Sequence, residues 1–400
     1  MAKHEIPNFP FACPHALDLP PEFAAMREDG GIGRIKLWDG QVAWLVTGFE
    51  EARIVLGHPG TSADSVKPGY PHISAARRVS DQGDRSFIRL DDPAHSRIRR
   101  MLTKHFTVAR AESLRPVIRG IADTVITTML TGPQPAELKS QFATPLITRT
   151  LCHFFGAPFE DESFFNEHQE RRLKLSASPE DVEASTRALI EYVDGLVSAK
   201  LTSPGDDLIS ALIEDQLRPG HITRDELTLT LRIVLGAGHE TTASTILMGT
   251  LALLMHQDQA EALRQNTNLM PAAVEEILRF VGTFRNSTPN RVALDDIEVG
   301  EVTIRAGEGI IVSPAAVNRD GRKFGRPDEF DISRGDRSHL AFGFGIHQCL
   351  GQNIARVELE EGLSALLGRV PGLRLAVDPA EITLKDHLLA TPETLPVCWG

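Results

Sequence analysis

The sequence predicts a mainly α fold with a smaller β region. From about residue 90 to 280, apolar residues recur three and four apart, the spacing of helices with one buried face. Strand signals are confined to three separated places. Strand and helix units do not alternate, which counts against a doubly wound nucleotide-binding fold. The 400 residues are 42 % hydrophobic and 24 % charged, enough to bury a substantial core. With no internal repeat and no dividing linker, 1–400 reads as a single domain.

The first strand region is "IKLWDGQVAWLVT", where Asp39-Gly40 marks a two-residue hairpin turn between alternating apolar residues. Next comes "LDDPAHSRIRRMLTKHF", a helix with His95 and Arg99 four apart on one face and Arg100 and Lys104 on another. A histidine and an arginine together clamp a carboxylate well. Taken alone, the segment reads as a basic surface helix rather than a clamp.

The long stretch "HITRDELTLTLRIVLGAGHETTASTILMGTLALLMHQ" opens with a capping box, Thr223-x-x-Glu226. It predicts a helix of about 30 residues, roughly 45–50 Å long. Being apolar nearly all round, it reads as a core helix; Arg232, His239 and Glu240 interrupt it too often for a membrane span. At its centre stand Gly236-Ala237-Gly238, each glycine costing roughly 1 kcal/mol relative to alanine in a helix. Glu240, Thr241 and Thr242 follow. Small residues admit a bulky group against the backbone, and a hydroxyl beside a carboxylate relays protons. A kinked core helix with satisfied hydroxyls is the plain alternative. His239-Glu240 does not begin a zinc-protease motif, because position 243 is alanine.

In "AAVEEILRF", Glu276 and Arg279 lie three apart and share a helical face, with Arg334 of "FDISRG" as a third member. Apolar neighbours make the pair a partly buried lock rather than a surface bridge. The other strand regions are "RVALDDIEVGEVTIRAGEGIIVS" and "LRLAVDPAEITL".

The loop "HLAFGFGIHQCLG" carries Cys349. Cys13, Cys152, Cys349 and Cys398 contain no C-x-x-C pair and read as free thiols. Gly343, Gly345 and Gly351 miss the dinucleotide-loop spacing, and no second Cys/His cluster completes a zinc site. A lone thiolate suits a metal whose other ligands are not protein, and haem iron is the obvious case. The net charge of -12 argues against nucleic acid as a partner. No apolar leader or spanning segment is seen, so no membrane association and a cytoplasmic location are expected.

Together, "FGFGIHQCLG", "AGHETT", "EILR" and "LDDPAHSRIRR" resemble the cytochrome P-450 haem-thiolate monooxygenases of the soluble bacterial type, over essentially the whole chain. The resemblance implies that family's fold, with a long central helix over the haem. It implies that Cys349 is the metal ligand, its thiolate pushing electron density onto the iron of haem b (iron protoporphyrin IX), as in this class generally. His95, Arg99, Arg291 and His347 match positions that hold the propionates, with His339 nearby; Phe342 and Gly351 belong to the haem-binding loop. Ala237 and Gly238 are implied to open the distal helix, and Glu240 and Thr241 to form the catalytic acid–alcohol pair. Glu276, Arg279 and Arg334 match a structural triad. Gly321 stands where the family usually has proline, a small departure.

The implied reaction inserts one atom of dioxygen into a lipophilic small molecule by hydroxylation or epoxidation, as in secondary metabolism. Electrons are expected from NAD(P)H through an iron–sulfur ferredoxin and its reductase. Arg97, Arg100 and Lys104, with Arg322, Lys323 and Arg326, are expected to form the docking patch. Substrate contacts are expected from 62–90, with 160–185 completing a cover. Further contacts are expected from Val234, Leu235 and Ala237, from 282–289, and from 387–392 with Leu388 and Leu389. Nitric oxide reductase-type and peroxygenase-type relatives are the rivals within the class, but both depart from the acid–alcohol pair that this chain keeps. A non-enzymatic haem carrier or sensor has no need of that pair.

Overall fold

A computed structural model describes residues 5–285 and 289–400. Strands β1 (Ile32–Lys36), β2 (Val42–Val46), β3 (Thr61–Ser62), β4 (Asn290–Ala293) and β5 (Gly309–Val312) form one sheet in the order β1-β2-β5-β4-β3. Only β2 and β5 run parallel; the other neighbours are antiparallel. The sheet thus joins pieces some 250 residues apart in sequence. The β1–β2 turn is one residue longer than Asp39-Gly40 predicts. Leu37 N–H donates to Gln41 O at 2.8 Å, closing a loop of Trp38, Asp39 and Gly40. Gly40 takes the left-handed φ of 86° that ends such a three-residue turn.

The helices that build the site are α1 (Ala75–Gly83), α2 (Ala94–Thr103), α3 (Val108–Leu130), α4 (Thr144–Phe155), α5 (Glu162–Leu173), α6 (Pro179–Thr202), α7 (Arg224–Met255), α8 (Met270–Val281) and α9 (Gln352–Arg369). Of the stretches expected as a polar cover, 160–185 is largely helical, with α5 and the start of α6, whereas 62–90 is mostly loop around α1, which packs on α6. Ser74 and Ser178 cap α1 and α6 by accepting amide hydrogens.

The capping box at the start of α7 forms as the sequence predicts, with Thr223 and Glu226 each accepting the other's backbone N–H. From there α7 runs 32 residues, mostly buried, against α4, α6, α8 and α9 in the largest apolar core. Glycines set how closely these helices approach. A Cβ on Gly249 of α7 would stand 2.7 Å from Ile277 of α8, and one on Gly362 of α9 would stand 2.8 Å from Leu146 of α4. Alanine at either place would push the helices apart. No helix among the described residues is long and apolar enough to cross a membrane.

Candidate active site

Two glycines shape the cysteine loop. Gly343 and Gly345 have φ of 70° and 76°, and a Cβ on Gly345 would meet Leu56 O at 2.5 Å, so only glycine fits there. Cys349 N–H donates to Phe342 O at 2.8 Å, folding the loop back on itself. The chain then enters α9, and the amides of Gly351 and Gln352 at its start donate to the Cys349 sulfur. Burial pushes the thiol up, while these amides, Arg99 and Arg356 draw it down. Cys349 is nonetheless accessible. A thiol enclosed by protein but open on one face borders an internal space. All four cysteines are unpaired, as expected.

Two carboxylates of α8 anchor this loop from behind. Arg279, wholly buried, donates twice to Glu276 at 2.7 Å and also to the carbonyls of Asn318 at 2.9 Å and Pro327 at 2.7 Å. Arg334 Nε stands 3.2 Å from Glu276, so the three expected members do meet. Asn318 relays the anchor: its Oδ1 accepts Leu340 N–H at 2.7 Å in the cysteine loop. Glu275 accepts from Arg356 at 2.7 Å and Arg337 at 3.0 Å, and lies 3.0 Å from His339 Nε2. Despite burial, His339 and Arg356 hold the Glu275 carboxyl down at about 2. His339 therefore does not stand with the propionate residues. Its other ring nitrogen accepts Ala341 N–H at 3.3 Å, so both are engaged in fixing the loop. Phe342 packs its ring under the Arg356 guanidinium, 4.6 Å away.

His95 and Arg99 of α2, Arg291 of β4 and His347 of the loop come together as the sequence predicts. The His95 and His347 rings are 4.1 Å apart. Burial, then Arg291, His95 and Arg99, push His347 down to about 2, and burial brings Arg291 to about 10. No ion pair holds Arg99 or Arg291 among the described residues, and buried His95 has Asp92 Oδ1 3.5 Å from its Nδ1 while its Nε2 has no hydrogen bond. Buried cations without anions are costly. Two carboxylates arriving here would complete the set. Arg89, not singled out from the sequence, adds to this positive field beside Tyr70.

On α7, Ala237 is exposed in the middle of an otherwise buried helix, and Thr241 one turn later is partly accessible. Both border internal space. The flanking glycines do something else. A Cβ on Gly236 would meet Gln169 Nε2 at 2.5 Å, and one on Gly238 would meet Leu151 at 3.3 Å. Gly238 therefore serves the approach of α4, and Ala237 alone opens the helix. Leu235 turns away too, lining a small cavity with His239, Thr148 and Leu151. Leu388 joins an apolar cluster with Phe9, Phe11 and Ile73. Asn286, Ser287 and Thr288, expected in the pocket wall, lie outside the described residues.

Thr241 Oγ1 donates to Ala237 O at 2.6 Å. The Glu240 carboxylate is 3 % exposed, with Oε1 3.5 Å from His239 Nδ1 and Oε2 3.7 Å from Lys139 Nζ. Oε2 has no hydrogen-bond partner. Burial raises its pKa, but His239, Lys139 and His387 outweigh this and hold it at about 2. Lys139 also lies 3.2 Å from Glu170, which Lys385 pairs at 2.7 Å. Ligand-type atoms of Glu170, Glu240 and His387 all lie within 4.8 Å of one another. Lys139 escaped the sequence reading, and Glu170 and His387 fell within the expected stretches 160–185 and 387–392 without being singled out, since no local pattern marks them.

The expected basic patch is largely neutralised. Arg97 pairs with Glu226, Lys104 with Asp215, Arg322 with Glu51 and Asp320, and Arg326 with Glu329. Among the described residues, Arg100 and Lys323 are the patch members left without an acidic partner.

The residues present suit haem: an accessible enclosed thiol, a cation cluster short of anions, and a helix opened at one alanine. Comparison with known proteins agrees. A family model described as Cytochrome P-450 matches residues 158–370. The chain is 41 % identical over 399 residues to vitamin D3 dihydroxylase of Streptomyces griseolus, covering 99 % of this chain and 97 % of that one. It is 42 % identical over 389 residues to pentalenic acid synthase of Streptomyces avermitilis, covering 97 % and 95 %. The structure of mycinamicin VIII C21 methyl hydroxylase of Micromonospora griseorubida, bound to mycinamicin VIII, superposes with a TM-score of 0.93 at 37 % identity over 99 % of this chain and 100 % of that one. Likeness of this depth along nearly the whole chain decides the matter: this protein belongs to the cytochrome P-450 family and is a haem-dependent monooxygenase that draws on a redox partner.

Proposed function

We propose that this monooxygenase hydroxylates or epoxidises a lipophilic secondary metabolite, acting in the cytoplasm as a single domain over 1–400. Its electrons come from NAD(P)H through a ferredoxin reductase and an iron–sulfur ferredoxin. The observation that carries the reading is Cys349, accessible yet enclosed, with two helix-terminal amides on its sulfur. The names of the relatives point to vitamin D3, pentalenic acid and mycinamicin VIII, and a lipophilic metabolite is the class they share.

Bound haem b, with Cys349 as its one protein ligand, supplies the binding and reductive activation of dioxygen. The Gly351 and Gln352 amides temper the charge on the sulfur. Arg99, Arg291, His95 and His347 receive the propionate carboxylates, and Phe342 and Gly351 hold the loop in shape. Ala237 leaves space for substrate beside α7. Protons enter at Glu170, whose side chain is 40 % exposed, and pass by Lys139 and His387 to Glu240 Oε2. Turning from Lys139, Glu240 hands the proton on to Thr241 Oγ1. The Thr241 hydroxyl donates to Ala237 O, which leaves an oxygen lone pair free to accept that proton; as it does so, Thr241 turns its own hydroxyl from Ala237 O and releases that proton into the open space.

The test is the absorption spectrum of the purified, reduced protein with carbon monoxide. A strongly red-shifted Soret band that is lost in Cys349→Ala is expected. A band at the position of histidine-ligated haem, or no haem signal, refutes the reading.

A further inference from the structure

A second group of arginines is buried where α1, α5, α6 and α7 meet, and the haem-binding and proton-delivering residues leave it unused. Arg232 of α7 is 3 % exposed and gives Nη2 to Asp84 Oδ1 at 2.8 Å, while its Nε and Nη1 have no hydrogen-bond partner. Arg172 of α5 is 8 % exposed and has no carboxylate within 4 Å among the described residues. Its Nε donates to Thr186 Oγ1 at 3.0 Å and its Nη1 to Gln169 Oε1 at 2.9 Å. Asp81 beside them is already taken by Arg77 at 2.5 Å and Arg89 at 2.6 Å, with His72 Nδ1 at 3.3 Å. Four guanidiniums therefore face two carboxylates. Burial and the adjacent Arg232 pull Arg172 down to about 9, as expected of cations crowded together away from water.

A buried guanidinium with idle N–H groups is unfavourable unless an anion completes it. Its planar fork pairs bidentately with a carboxylate or a phosphate, and of the two the singly charged carboxylate is the one a lipophilic molecule carries into an apolar pocket. Arg232 lies five residues before Ala237 on the same helix, a rise of about 7.5 Å and a turn of about 140°, so an anion bound here sits on the α5 side and a small molecule held by it reaches the open position by passing round α7. The helices that cover the group are those of the two stretches expected to close over substrate.

We propose that the substrate is a lipophilic carboxylic acid whose carboxylate is bound by Arg172 and Arg232 beneath α1 and α6. This rests on the monooxygenase reading and names the substrate class within it. The carboxylate is an address, not a reacting group: it orients the molecule so that its apolar part reaches the space beside Ala237.

The test titrates the haem-loaded enzyme, following the haem absorption band, with dodecanoate and a steroid carboxylate, each against its own methyl ester. At least one acid is expected to bind about tenfold or more tightly than its ester, the worth of one charge-assisted hydrogen bond. Arg172→Gln is expected to bring the acid to the ester's affinity and leave the ester unchanged. Arg172 has no carboxylate to orphan, so this variant folds even where Arg232→Gln, which strands Asp84, does not. No acid preference in the unaltered enzyme, whether both forms bind alike or neither binds, overturns the proposal. So does a preference that persists in Arg172→Gln. An intact carbon monoxide spectrum in both proteins separates such a failure from failure of the haem-thiolate reading.

Discussion

Glu358 on α9 is a carboxyl that the fold holds at a cost, and that cost is measurable. It is 3 % exposed, its Oε1 has no hydrogen-bond partner, and Thr242 of α7 is its one polar neighbour of note. Burial pushes it up from 4.5 to about 8. Between those values the unfolded chain has lost the proton and the folded chain keeps it, so stability falls as pH rises. The fall is about 1.4 kcal/mol per pH unit, or some 4–5 kcal/mol in all by pH 8, and it levels off above. Glu358→Gln keeps the shape without the titration. Its urea midpoint should match that of the parent near pH 5 and exceed it at pH 9 by most of that free energy, at unchanged m-value. Every other titrating group is common to both proteins and cancels in the difference. A gap between variant and parent that stays constant from pH 5 to pH 9 would show that Glu358 is not held protonated.

Lys139→Gln removes a cation 3.7 Å from Glu240, worth about 4 kcal/mol at an effective dielectric of 20. Glu240 should then rise from about 2 toward the ordinary carboxylate range, moving the acidic limb of the turnover–pH profile upward; an unmoved limb argues against the relay. Arg279→Leu leaves Glu276 with Arg334 and the Asp331 amide and strands the Asn318 and Pro327 carbonyls. About 3–5 kcal/mol of stability should go, with haem retention, and a loss below about 1 kcal/mol would contradict the anchoring role. Gly345→Ala should lower haem content while helix content stays normal, because its Cβ would meet Leu56 O at 2.5 Å; full haem loading would be the contrary result. Arg100→Glu should slow reduction by ferredoxin and leave substrate affinity unchanged, whereas equal effects on both would remove Arg100 from the docking face.

Much of this protein is legible in the chain because it is local. The Thr223 and Glu226 box, the β1–β2 hairpin, the glycine-rich cysteine loop and the Glu276–Arg279 pair each involve residues within a few positions of one another, where backbone geometry leaves few choices. The loop motif even assembles His347 with His95, Arg99 and Arg291, since the resemblance carries that spacing. Other features depend on which surfaces meet when helices pack. His339 is drawn to Glu275 because α8 lies behind the loop. Gly236 and Gly238 serve α5 and α4 rather than the open space, because a helix turns each successive side chain by about 100° and only Ala237 falls on the free face. Glu240 acquires Lys139, Glu170 and His387, and Arg172 meets Arg232, across separations of 60 to 150 residues. Sequence determines the face on which a side chain sits; only tertiary packing decides what stands opposite. For buried charge, that opposite partner decides both ionisation and function.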